Sequence, residues 1–186
     1  MPDAEASAQA EEYLQKCIEN QDSAGGVVSC KVHGMPAGIG EPVFDKLDAC
    51  LGQAVMSIGA VKAFAVGDGC EVSKKNGSTN NDAFCNVNGQ ISKKTNHAGG
   101  ILGGISDGSD IILRAYFKPT PSIYQKQQTV NQAGEEIEIQ IKGRHDPIVV
   151  SRAVVVVEAM TAVTILDELL RNMTSRLDGI KKFYHK

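Results

Sequence analysis

The sequence predicts an α+β fold, a mostly antiparallel sheet covered by helices. Three observations carry this. Short alternating runs such as VVSCKVH and IILRAYF read as strands. Two amphipathic segments and one long apolar segment read as helices. The order helix, strand, helix, strand, glycine-rich stretch, strands, helix lacks the regular strand–helix alternation of a parallel sheet.

Taken in order, residues 4–21 place Tyr13, Leu14, Cys17 and Ile18 at helical spacing among Glu and Gln, and QDSAGG ends that helix. A strand is expected over Val27–His33, then a loop, GMPAGIGEP. Residues 43–58 predict a helix with Phe44, Leu47, Leu51 and Val55 on one face. Ala60–Val66 reads as a short buried strand. Residues 67–110 are rich in Gly, Asn and Ser and predict a long glycine-rich loop region inside a single domain spanning 1–186. Ile111–Phe117 is a strand. QQTV and EIEIQI form a hairpin about Asn131–Gly134. A helix from Pro147 to Met173 follows, and RLDGIKKFYHK is weakly helical.

Bulk properties narrow the function classes. With 42% hydrophobic and 22% charged residues, the chain has the composition of an ordinary soluble protein. A net charge of -3 and 5% aromatics argue against nucleic acid as a partner. Charges at Arg152, Glu158, Asp167 and Glu168 break the most apolar run, so no membrane span is expected. The N-terminal residues carry no charged-then-apolar leader pattern. The five cysteines form no CxxC and read as reduced thiols of a cytoplasmic protein. Cys30 and His33 have a CxxH spacing without the second pair that a zinc site needs.

Three segments could carry chemistry. TNHAGGILGGISDG holds five Gly in ten residues, which permits close backbone approach to a flat or anionic ligand. It matches neither common nucleotide fingerprint, and a plain surface loop is the alternative. Lys118-Pro119-Thr120-Pro121-Ser122 follows a strand. Its prolines stiffen a loop bearing an ammonium and two hydroxyls, suited to phosphate or ring heteroatoms; an ordinary turn is the alternative. In KGRHDP, Asp146 precedes Pro147 and suits a helix N-cap. Yet Lys142, Arg144, His145 and Arg152 surround the same helix start. A cationic setting keeps a carboxylate ionised and available as a base.

These segments, in this order, resemble the C-terminal signature series of the chorismate synthase family: TNHAGGILGGISDG, then RAYFKPTPSI, then KGRHDPIVVSRAVVVVEAMTA. GEPVFDKLDACLGQAVMSIGAVKAFAVGDG and GSTNND are similar to the same family, so the resemblance runs from Pro2 to Leu170. It implies one half of a β-α-β sandwich and a lyase of the shikimate pathway to aromatic amino acids. The implied reaction is the anti-1,4-elimination of phosphate from 5-enolpyruvylshikimate-3-phosphate, giving chorismate. The implied cofactor is reduced FMN, with NADPH the associated reductant, and the implied assembly is a homotetramer. Carried over, the flavin contacts fall on Gly59 and Ala60, Gly103, the loop Lys118, Pro119, Thr120, Pro121 and Ser122, and Arg144. Asp146 takes the proton-handling role at the flavin, and the helix from Arg152 to Leu170 serves as scaffold. Pro121, Ile148 and Val155 depart from the residues the family often has there. Nothing in the chain matches the family's N-terminal Ser-His-Gly segment, its second histidine or its phosphate-binding arginines. This half alone is therefore expected to be catalytically incomplete, and a non-catalytic flavin-binding or structural module is the alternative.

Overall fold

The structure is a computed structural model that describes residues 3–143 and 145–184. At its centre is a three-stranded antiparallel sheet in the order β1 (Gly26–Val32), β7 (Ile111–Phe117), β2 (Val61–Val66). β7 alternates strictly in burial. Ile111, Leu113, Ala115 and Phe117 face the core, as the period of two along a strand requires. The register runs Gly26↔Phe117 to Val32↔Ile111 on one side and Val61↔Phe117 to Val66↔Leu113 on the other, with a bulge between Val61 and Ala63.

Two helices pack against this sheet in one apolar cluster. α2 (Leu47–Met56) contributes Leu47, Leu51 and Val55, four residues apart and fully buried. α4 (Val150–Asn172) contributes Ala153, Val157 and Ile165. Burying each of these Leu, Val and Ile side chains is worth roughly 1.5–3 kcal/mol. α1 (Ala4–Glu19) is capped by Asp3, whose carboxylate accepts from the Ala6 N–H at 2.7 Å. The hairpin β8 (Gln127–Val130) and β9 (Glu136–Ile139) closes through Asn131 and Gly134 as the sequence predicts. A short α5 (Leu177–Tyr184) ends the described chain. None of the described helices is long and apolar enough to cross a membrane.

Three expectations need correction. α2 begins at Leu47 rather than near residue 43, and Phe44 is 89% exposed instead of joining Leu47 on the buried face. Glu41 and Asp45 exchange two backbone hydrogen bonds, at 2.9 and 3.0 Å, and that closed turn holds the chain out of the helix. α4 begins at Val150, with no side-chain cap. The Ala24 N–H donates to the Pro147 carbonyl at 2.7 Å, and Ile148 bridges Ala24 in parallel, so Pro147 and Ile148 are kept outside the helix. Asp146 is therefore not its N-cap.

Residues 67–110, expected as loop, carry local structure. They include a 3-10 turn over Gly69–Lys74, the one-turn helix α3 (Gly77–Asn80), and the hairpins β3–β4 (Phe84–Val87, Gln90–Lys93) and β5–β6 (Ile101–Leu102, Ile105–Ser106). Side-chain carboxylates organise the stretch. Asp82, only 9% exposed, accepts from Thr95 Oγ1 at 2.7 Å, the His97 N–H at 2.8 Å and the Ala98 N–H at 2.9 Å. Asp107 pairs with Lys93, both side chains nearly buried. His97 Nδ1 lies 2.7 Å from Asp68 Oδ2, and Lys75 also pairs with Asp68.

These anchors set a pH response. Burial pushes the carboxyls of Asp82 and Asp107 up, but their hydrogen bonds outweigh it, and both end below the ordinary carboxylate range. A depressed folded-state pKa gives stability that is present above the unfolded value of about 4 and lost as pH falls through the folded value. Thermal unfolding followed by circular dichroism should therefore show the melting temperature falling once pH drops below about 4. Asp82→Asn should flatten that fall. A melting temperature independent of pH between 6 and 3 would contradict the assignment.

Candidate functional site

The sheet has two ends, and the candidate residues divide between them. β7 runs from Ile111 to Phe117, and the loop Lys118–Ser122 leaves its far end. β2 starts at that same end, directly after Gly59 and Ala60. The Lys118 N–H donates to the Ala60 carbonyl at 3.0 Å, so the two segments touch through their backbones. Ala60 has φ +71°, a left-handed conformation that costs an L-residue about 1–2 kcal/mol. A strained residue kept in place by its surroundings is a pointer to function. Beside Gly59, the space a side chain would take is open.

The same end holds the start of α4. Ser23 Oγ donates to the Thr120 carbonyl at 2.7 Å, and Ser23 lies beside Ala24, which bonds Pro147. A cleft of about 180 Å³ is lined there by Ser23, Ser122, Tyr124, His145 and Asp146, among others. The His145 ring packs edge-on against Tyr124, with centroids 4.9 Å apart, and Tyr124 Oη donates to the Gly143 carbonyl. Asp146 pairs with Arg152 through two hydrogen bonds of 2.9 Å, Nη1 to Oδ2 and Nη2 to Oδ1. Arg144 lies outside the described residues.

Two buried polar atoms at this end, Thr120 Oγ1 and His145 Nε2, have no hydrogen-bond partner among the described residues. Buried hydroxyls and ring nitrogens are normally satisfied, so an orphan marks a place for water or a ligand. The donor set here is a hydroxyl, exposed backbone at Gly59, a lysine and a loop stiffened by two prolines. It fits a ligand with a phosphate and a polar ring, as a flavin nucleotide has.

Gly103 sits elsewhere. It turns the β5–β6 hairpin, whose neighbouring Gly104 carbonyl accepts from the Leu47 N–H at 2.8 Å, at the N-terminus of α2. Gly59 and Ala60 follow the C-terminus of that helix. Ten helical residues, about 15 Å, lie between. The structure thus brings Gly59, Ala60, Lys118–Ser122 and Asp146 to one end and leaves Gly103 at the other, by the N-terminus of α2. Neither Cys30 nor His33 is placed as a metal ligand: His33 Nδ1 pairs with Asp110 at 2.9 Å, and burial raises the Cys30 thiol pKa.

Sequence reasoning missed Ser23 and Tyr124, which brace the Thr120 and His145 segments, and it read Arg152 as scaffold. Ser23 stands in a polar turn like any other, and its pairing with residue 120 is purely tertiary. The one legible signal was the basic cluster at the helix start, which contained Arg152.

The fold is a half-sandwich whose one end is walled by these loops. The chain belongs to the chorismate synthase family, whose model matches residues 1–170. It is 63% identical over its whole length to the chorismate synthase of Lachnoclostridium phytofermentans and 59% identical to that of Agathobacter rectalis, covering 51% of each. A crystal structure of chorismate synthase superposes with a TM-score of 0.76 at 27% identity, covering 98% of this chain and 48% of that one. The chain spans about half the length of the curated relatives it matches. It has the fold of one half of the chorismate synthase β-α-β sandwich.

Proposed function

We propose that this chain supplies the flavin-holding half of a chorismate synthase. The whole protein would eliminate phosphate from 5-enolpyruvylshikimate-3-phosphate in the cytoplasm, on the shikimate route to aromatic amino acids, as a homotetramer. The observation that carries the reading is the bond from Lys118 to Ala60. It joins the two segments that the family resemblance assigns to the cofactor, beside the cleft that contains Asp146.

Reduced FMN, when bound, supplies electron density that eases departure of the phosphate. The residues of this chain place and charge the site. Lys118 brings a cation to the cofactor, and Thr120 Oγ1 offers the hydrogen bond that it makes to nothing else described. Gly59 leaves the backbone open for close approach. Asp146 accepts or returns a proton at the flavin edge, and the family resemblance adds Arg144 as a further cofactor contact. Elimination also needs cations and a proton donor at the leaving phosphate, a task assigned here to the other half of the protein. Gly103 enters this seat only for a ligand lying along the length of α2.

Thr120→Val separates this reading from a purely structural loop. The substitution keeps the shape and deletes an orphaned buried hydroxyl, so the unliganded chain should melt at the same temperature or higher. Oxygen-free titration with reduced FMN should show affinity weakened about 5- to 20-fold, the equivalent of one lost hydrogen bond. Equal affinities in the two chains would remove Thr120 from the seat.

A further inference from the structure

We propose that Arg152 is a positioning residue that fixes the Asp146 carboxylate for proton transfer, an inference that rests on the proton-handling reading of Asp146. It stands on three features of the structure. Asp146 does not cap α4, because Pro147 and Ile148 are held by Ala24 and the helix starts at Val150. Among the described residues no backbone N–H therefore fixes its carboxylate, and rotation about its last side-chain bond would otherwise be broad. Arg152, on the first turn of the helix, grips both oxygens at 2.9 Å in the fork-to-fork geometry that sets the plane of a carboxylate. Each oxygen accepts one guanidinium N–H and keeps a second lone-pair site for a ligand.

The setting argues for a placing role over a stabilising one. The Arg152 side chain is 70% exposed and that of Asp146 is 36% exposed, so the pair contributes little to stability. The same carboxylate borders the cleft that Ser122, Tyr124 and His145 also line. A rigid guanidinium on a helix, reaching back to a loop carboxylate beside a cleft, is how an arm of scaffold sets the aim of a reacting group.

The test uses Arg152→Gln, Arg152→Lys, Asp146→Asn and the double variant Arg152→Gln/Asp146→Asn, each in the protein at the full length of its relatives. Turnover, KM, reduced-FMN affinity and melting temperature are measured for each. Arg152→Gln should lower kcat between about 10- and 100-fold, the scale of a misplaced reacting group. KM, flavin affinity and melting temperature should stay at their wild-type values. Arg152→Lys should recover only part of kcat, because an ammonium cannot span both oxygens. In the Asp146→Asn background, Arg152→Gln should add nothing. Unchanged kcat in Arg152→Gln while Asp146→Asn is impaired would overturn this inference and leave the function standing. Unchanged kcat in Asp146→Asn would overturn the reading of Asp146 itself. A loss of kcat that tracks a fall in melting temperature in both Arg152 variants would reduce the pair to a structural contact.

Discussion

Gly67→Ala should destabilise the chain by more than about 4 kcal/mol, the range reserved for a backbone collision inside the fold. Gly67 has φ +57°, and a Cβ placed there would lie 2.0 Å from the His97 carbonyl oxygen and 2.7 Å from the Gly99 nitrogen. Neither neighbour is the free end of a side chain. Gly67 also donates to the Ile112 carbonyl at 2.9 Å, and its own carbonyl accepts from Arg114 Nη1 at 2.6 Å, so the residue cannot back away without breaking both bonds. Gly34 supplies the control. Its φ is +73°, with nothing within 4 Å of an added Cβ, so Gly34→Ala should cost only the conformational strain, about 1–2 kcal/mol. Chemical denaturation of the two variants measures both numbers. Equal costs would mean that close approach of the glycine loop to residue 67 contributes nothing.

Lys93→Ala should cost about 3–5 kcal/mol, because it leaves the Asp107 carboxylate buried without its counter-charge. The side chains of Lys93 and Asp107 are 5% and 9% exposed, and the Lys93 ammonium also lies 5.6 Å from the centroid of the Phe84 ring. The truncation thus removes an ion pair, a cation–π contact and an aliphatic stem together. Replacing both partners, as Lys93→Met/Asp107→Leu, should cost far less than the single change, since no charge is then stranded. Urea titrations would reveal the difference. A double variant as unstable as Lys93→Ala would contradict the stranded-charge explanation, since Met keeps the aliphatic stem against Phe84.

Much of the fold was legible because local periodicity is strong where burial is one-sided. Leu47, Leu51 and Val55 recur every four residues and vanish into the core. The β7 run IILRAYF alternates because only one face meets the helices. The helix starts were misjudged for a tertiary reason. Phe44 and Pro147 fit a helical pattern locally, but the Glu41–Asp45 turn and the Ala24–Pro147 bond override it. Residues 67–110 looked structureless because their organisers are single carboxylates, Asp82, Asp107 and Asp68, which reach Thr95, Lys93 and His97 across 13, 14 and 29 residues. No period marks such a contact.

The candidate site was legible as segments but not as an arrangement. Motif resemblance pointed to Gly59–Ala60, Lys118–Ser122 and Asp146. Only the strand register, with Val61 and Phe117 paired, brings the first two together. The same register and the length of α2 set Gly103 apart. Arg152 was read as scaffold, and the distance from its guanidinium to Asp146 is what changes that reading.

Which end of the sheet receives the flavin is the decisive point. Backbone amide shifts recorded while reduced FMN is added, without oxygen, to the isotope-labelled chain test this most directly. Shifts should gather on Gly59, Ala60, Lys118, Thr120, Ser122 and Asp146, while His97 and the far end of α2 stay still. Shifts confined to the Gly67–Gly104 end, or none at millimolar flavin, would contradict it.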